Sequence, residues 1–177
     1  MSRRGGAARR PQLSVAGGGV CTRRTTALAH AVGRAIAASG AVLVCGGLGG
    51  VMGAAARGAA RAGGTVVGLL PGYDASAGSR DLTIAIPTGL GHARNVLVAA
   101  AGDALIALPG EHGTLAEIAL ARAIGRPVVV LGGWRGLRGV RRASTPEEAV
   151  RRALALAAAQ RPGMRGRGAG RAGPGLR

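Results

Sequence analysis

Lysine and phenylalanine are missing from this sequence, and its aromatic rings are Tyr73 and Trp134. Without aromatic platforms, an RNA reader of the base-stacking RRM kind is excluded. Two cysteines, Cys21 and Cys45, cannot make a disulfide framework. Both are expected as reduced thiols of a cytoplasmic protein. Long hydrophobic runs are also missing. The longest apolar stretch, residues 96–109, is broken by Asp103 and is too short to span a bilayer. Arg9 and Arg10 precede only Leu13-Ser14-Val15-Ala16 and then three glycines, which is no signal-peptide hydrophobic region. No GK[ST] occurs, so a Walker A phosphate loop is excluded. The expectation is a soluble cytoplasmic protein with no membrane partner.

Acids are scarce. Seven face 24 basic residues, all of them arginine, for a net charge of +17. Nine of the arginines lie in residues 1–10 and 161–177. Residues 11–160 hold 15 arginines and all 7 acids, a net of +8. With 38 Ala and 34 Gly, this has the look of the codon bias of a GC-rich genome. Such a chain attracts nucleic acid and phosphates non-specifically. A specific nucleic-acid partner is not expected. The 39 Val, Ile and Leu residues suffice for an aliphatic core, and 177 residues suit one domain.

Residues 1–11 read as a disordered basic leader and 161–177 as a disordered Arg/Gly tail. Between them, residues 12–160 alternate short apolar strands with helical stretches. Strands are expected at 13–16, 41–45, 65–70, 82–86, 104–108 and 127–131. Helices are expected at 25–39, 51–62, 92–101, 114–124 and 146–159. Ser144 or Thr145 suits the cap of the last helix, with Pro146 in its first turn and Glu147 and Glu148 at its positive dipole end. Strands apolar on both faces, alternating with helices, indicate an α/β fold. It is a single Rossmann-like doubly wound parallel sheet with helices on both faces. Its ligand belongs at the carboxyl ends of the strands.

Three stretches lie there. Cys45-Gly46-Gly47-Leu48-Gly49-Gly50-Val51-Met52 runs from a strand through glycines into a helix start, where backbone N–H groups can meet a phosphate. It is not a dinucleotide fingerprint, because Met52 replaces the third glycine and the nearest acid is Asp74. Pro109-Gly110-Glu111-His112-Gly113-Thr114-Leu115-Ala116-Glu117 repeats the strand-to-helix arrangement. Thr114 suits an oxyanion there and Glu117 lies one turn in, although Thr114-x-x-Glu117 also reads as a plain capping box. Pro87-Thr88-Gly89-Leu90-Gly91-His92-Ala93-Arg94-Asn95 sets an arginine at a helix start, against the dipole. That placement points to an anionic partner, a ligand phosphate or Glu117.

Together these stretches resemble the LONELY GUY-type, "lysine decarboxylase-like" superfamily. The carrying residues are Gly46-Gly47-x-x-Gly50-Val51-Met52, Gly63-Gly64-Thr65 through Pro71, Pro87-Thr88-Gly89 with Ala93-Arg94-Asn95, and Pro109-Gly110-x-x-Gly113-Thr114-x-x-Glu117. Their order and spacing span roughly residues 13–131. The LONELY GUY-type branch implies a nucleoside 5′-monophosphate phosphoribohydrolase that needs no cofactor. By motif match, Glu117 and Arg94 are its catalytic residues. Gly46, Gly47, Gly50, Thr88, Asn95, Gly110, Gly113 and Thr114 would bind the ligand. Three departures stand out: Asn95 where those enzymes carry Lys, Ala116 where many carry a second acid, and Glu111 in place of a loop glycine. Short length, Pro87-Thr88-Gly89 and the Arg94-Asn95 pair are more similar to the molybdenum-cofactor carrier-like, DprA-related branch. That branch implies a non-catalytic protein with the molybdenum cofactor as bound ligand. In either case the partner is a small phosphorylated ligand, a nucleoside monophosphate or a pterin. The superfamily also implies a homo-oligomer, a homodimer in the simplest case.

The remaining polar residues read more plainly. His92 and His112 fall in the proposed crevice loops, without the acid–histidine spacing of a metal site, so no metal is expected. His30 reads as structural, Arg57 and Arg61 as a solvated helix face, and Cys45 and Cys21 as inert thiols near the crevice. Arg23 and Arg24 follow the first glycine loop, within reach of a ligand phosphate.

Overall fold

The structure, a computed structural model, describes residues 9–160. Residues 1–8 of the expected leader and the whole of 161–177 lie outside the described residues. Segments four or five residues long and rich in Val, Leu, Ile and Ala form β1 (Gln12–Ala16), β2 (Val42–Cys45), β3 (Val66–Leu70), β4 (Ile84–Pro87), β5 (Ala104–Ala107) and β6 (Val128–Leu131). The helices are α1 (Arg23–Ala38), α2 (Gly50–Arg61), α3 (Asn95–Ala101), α4 (His112–Ala123) and α5 (Pro146–Gln160). Local chemistry starts them. Thr22 caps α1 by accepting from the Thr25 N–H at 3.1 Å. At α5, Thr145 Oγ1 accepts from the Glu148 N–H while the Glu148 carboxylate accepts from the Ser144 N–H, a variant of the capping box shifted by one residue.

A seventh strand, β7 (Arg141–Ala143), was not expected. Its sequence, Arg-Arg-Ala, carries no apolar run, and its register against β6 makes it a strand. The helix expected over 92–101 is divided. Gly91–Arg94 is a 3-10 turn and α3 follows from Asn95. Gly89 and Gly91 both have positive φ ahead of that break.

The sheet is all-parallel, in the order β4-β3-β2-β1-β5-β6-β7. Side chains alternate across it. Leu13, Val15, Leu43, Ile106 and Val129 face α1, α2 and α5 on one side. Leu105, Ala107 and Val130 face α3 and α4 on the other. The chain steps outward from β1 to β4, then returns to the far side of β1 with β5. That reversal opens a crevice between the carboxyl ends of β1 and β5, where such sheets bind ligands. Among the described residues, no helix is long and apolar enough to cross a membrane.

Candidate functional site

The crevice is built from backbone before side chains. β1 ends in Gly17-Gly18-Gly19, and the Gly18 N–H donates to Pro109 O at 3.1 Å. Gly18 O accepts from the Val51 N–H at 3.0 Å, so this loop is held between α2 and the β5–α4 loop. Contact that close needs glycine: a Cβ on Gly110 would lie 2.7 Å from the Gly18 nitrogen. The result is a cavity of about 330 Å³. Its walls are Gly17–Val20, Met52, His92, Arg94, Asn95, Glu111, Gly113, Thr114 and Glu117.

At one wall lies a buried ion pair. Arg94 is 7% exposed and Glu117 5%, with Nη1 and Oε1 3.5 Å apart. Arg94 Nη1 also donates to Asn95 Oδ1 at 3.1 Å. Burial pushes the Glu117 carboxyl up to about 7, and the nearby guanidinium only partly opposes the rise. Burial likewise lowers the Arg94 value, against the pull of Glu117. Desolvation thus outweighs mutual attraction on both partners. Gly46 makes room for the pair, because a Cβ there would lie 2.5 Å from the Arg94 Cζ.

Helix α4 points its amino end at the same space. Glu111 occupies its cap position without a side-chain bond to the helix, so the first-turn N–H groups have no side-chain cap. Thr114 and Glu117 are inside the helix, both buried, and do not form the capping box that their spacing also allowed. Uncapped N–H groups, a dipole end and a guanidinium converge on one cavity, an arrangement suited to an anion.

Of the sequence-predicted residues, Glu117, Arg94, Asn95, Gly113 and Thr114 line this cavity, and His92 joins them. Gly46 and Gly110 shape it from behind. Gly47 and Gly50 have positive φ and serve the turn into α2; Gly50 lines a second cavity instead. Thr88 lies apart, its hydroxyl donating to Leu70 O at 2.7 Å beyond the end of β3. His112 opens α4, exposed and outside the lining, and Arg23 and Arg24 are exposed at the start of α1. Cys45 is buried, and desolvation pushes its thiol up to about 11. Cys21 borders the second cavity, of about 370 Å³, with Arg57 and Ser79. Arg57 pairs with Asp81 at 3.4 Å, a partner distant in sequence. Val20 and Met52 were missed as cavity walls; the glycine run after β1 was the available signal. Among the described residues, no group of three His, Cys, Asp or Glu side chains is placed to hold a metal.

The model of the SLOG cluster4 family matches residues 10–161. An uncharacterised protein of Archaeoglobus fulgidus is 46% identical over 140 residues, 78% of this chain and 91% of that one. A cytokinin riboside 5′-monophosphate phosphoribohydrolase of Rhodococcoides fascians is 46% identical over 94 residues; these are 51% of this chain and 48% of the enzyme. The molybdenum cofactor binding protein of Rippkaea orientalis superposes with a TM-score of 0.79 at 34% identity, covering 85% of this chain and 99% of that chain. The molybdenum cofactor carrier protein of Chlamydomonas reinhardtii gives 0.77 at 33%, with the same coverage. DNA processing protein A of Helicobacter pylori, at 19% identity and a TM-score of 0.63, shares the fold.

Proposed function

The chain belongs to the SLOG cluster4 family, and from that premise we propose that it is a cytoplasmic carrier of a phosphorylated pterin, the molybdenum cofactor. The observation that carries this reading is the extent of likeness. Molybdenum-cofactor-binding chains are matched over 99% of their length at about a third identity. The phosphoribohydrolase is matched over 48% of its length. The cavity chemistry supports it: the open start of α4 and Arg94 suit the ligand's phosphate, and Asn95 offers a neutral amide to its polar edge.

Protein isolated from cells that make the cofactor tests this. Oxidation of the released ligand is expected to give a fluorescent pterin together with molybdenum, both lost in Arg94→Ala. A protein that carries neither, even after incubation with the purified cofactor, would refute the reading.

The second reading is hydrolysis of a nucleoside 5′-monophosphate, favoured by the approach of Arg94 and Glu117 to 3.5 Å. There Glu117 would stabilise oxocarbenium-like charge on the ribose while Arg94 and the α4 N–H groups hold the phosphate. No cofactor is required. Its mark is free base and ribose 5-phosphate from AMP or isopentenyl-AMP with wild type and none with Glu117→Ala.

We also infer a homodimer. Ile84 and Ile86 on the edge strand β4, with Leu90 and with Val96 and Leu97 of α3, are all large, apolar and exposed. An open sheet edge beside an apolar strip is normally covered. Sedimentation equilibrium of wild type against Ile86→Arg checks this.

A further inference from the structure

The cavity suits an anion in its backbone, yet its side chains are weighted the other way. The charged groups on its walls are one guanidinium, Arg94, and two carboxyls, Glu111 and Glu117. With both carboxyls ionised the walls carry a net negative charge, and only the start of α4 favours an anion. The guanidinium is already engaged. Its Nη1 lies 3.5 Å from Glu117 Oε1 and donates to Asn95 Oδ1 at 3.1 Å, and Gly46 lies against the group from behind. An anion that claims Arg94 must therefore take it from Glu117.

The two carboxyls differ in what that exchange does to them. Glu111 is exposed and keeps its hydration. Glu117 is 5% exposed, and Arg94 is its ion-pair partner among the described residues. Left as a carboxylate, it would be buried, unpaired and beside a second negative charge, the least tolerable state for such a group. A proton removes that charge and turns an acceptor on the cavity wall into an O–H donor.

We propose that the cavity takes up its anion together with one proton: a ligand oxygen engages Arg94, and Glu117 becomes a neutral acid that donates to the ligand. This rests on the anion-binding reading of the cavity, and not on which phosphorylated ligand fills it. The groups that face Glu117 are few. The 3-10 turn brings His92 and Arg94, β2 brings Cys45, and the loop before α4 brings Glu111. On α4 itself, His112 and Arg122 are exposed and more than a turn away. β1, β5, β6 and α3 contain no titratable side chain, and α2 offers the cavity Met52, its Arg57 being paired with Asp81. Burial holds the Cys45 thiol neutral, at about 11. His92 is the competing proton acceptor. Burial places the Glu117 carboxyl at about 7, and a neighbouring anion carries it higher still. Below that value the carboxyl is already neutral and the anion binds without a proton. Above it, binding draws a proton from solvent, and affinity falls about tenfold per pH unit.

Calorimetric titration of the full chain with sodium sulfate tests this, in about 0.15 M NaCl and in two buffers of different ionisation heat. Sulfate has the shape of a phosphoryl group and remains a dianion throughout, so every proton exchanged is the protein's. Wild type should take up about one proton per sulfate at about pH 8 and almost none at about pH 6, with affinity about tenfold weaker at the higher pH. Glu117→Gln should bind without proton uptake and with equal affinity at both. Glu111→Gln should tighten binding at both and keep their ratio. His92→Gln should keep the proton uptake, and Arg94→Ala should lose the site. Thermal melts establish that each variant is folded; if Glu117→Gln is not, uptake by wild type that persists in His92→Gln still carries the proposal. Affinity independent of pH, without uptake, in wild type would overturn it, as would uptake that survives Glu117→Gln or disappears with His92→Gln. So would the lack of a saturable sulfate site, or one that Arg94→Ala leaves intact. Cofactor content is a separate measurement: a chain that carries no pterin yet takes up sulfate with a proton refutes the carrier reading alone.

Discussion

Glu117→Gln separates the charge of the buried carboxyl from its shape. The folded protein holds this carboxyl at about 7, against an ordinary 4.5, because burial disfavours the carboxylate more than Arg94 restores it. Between those two values the native state binds a proton that the unfolded chain has released. Stability therefore falls as pH rises through this window and levels off above about pH 8. At about 1.4 kcal/mol per pH unit, the rise corresponds to about 3 kcal/mol. With Glu117 only 5% exposed, solvent screening takes little from that figure. Gln cannot ionise, so the variant lacks this pH dependence. At acid pH the wild-type carboxyl is itself protonated, so neither protein then sets a counter-charge against Arg94; only above about pH 7 does the wild type regain one, and that gain is already contained in the value of about 7. The assay is denaturant unfolding of both proteins at several pH values. The difference in unfolding free energy between wild type and variant should shift by about 3 kcal/mol from roughly pH 4.5 to 8, against the wild type as pH rises. Parallel curves would show that Glu117 titrates as an ordinary surface glutamate, and the desolvation argument would fail.

Three further outcomes follow from the same geometry. Arg94→Ala strips Glu117 of its partner, so it should cost about 3–5 kcal/mol at high pH and less at acid pH, where the carboxyl is protonated; unfolding curves at both read this. Gly46→Ala places a methyl where the Arg94 guanidinium lies, and should cost about 1–3 kcal/mol in denaturant unfolding and reproduce the ligand loss of Arg94→Ala. Cys45, buried with its thiol near 11, should resist a thiol reagent at neutral pH until denaturant is added, whereas Cys21 is partly open in the folded state.

The parallel sheet was legible because its central strands are buried on both faces and so are written largely in aliphatic residues. β7 was not, because an edge strand needs no such composition. Its Arg-Arg-Ala pairs by backbone alone. In the candidate site, strand-to-helix glycine loops pointed to the pole where the cavity lies, and Arg94 at a helix start, against the dipole, pointed to Glu117. Sequence spacing did not reveal which glycines line the cavity and which serve close packing. Gly47 and Gly50 share a motif with Gly46, yet their roles depend on Gly68, Leu70 and the β1 loop, all distant along the chain. The role of Thr114 was likewise undecidable locally. A capping box requires Thr114 to stand before the helix, and α4 begins two residues earlier, at His112.

One topological fact orders the charges of both poles. In a parallel α/β sheet the helices begin where the strands end, so positive dipole ends surround the carboxyl pole and negative ones the amino pole. An arginine at the amino pole is therefore stable without a carboxylate, as where Arg126 donates to Ala100 O in the last turn of α3. At the carboxyl pole an arginine opposes the local field, and a buried one also loses its hydration. Arg94 is tolerated there because Glu117 and Asn95 meet its guanidinium and Gly46 makes room for it. An anionic ligand in the cavity would meet the same field from the other side, attracted by the start of α4 and by Arg94 together. The ion pair thus keeps a cation in the one place where an anion is most wanted and where, unpaired, that cation would be least stable.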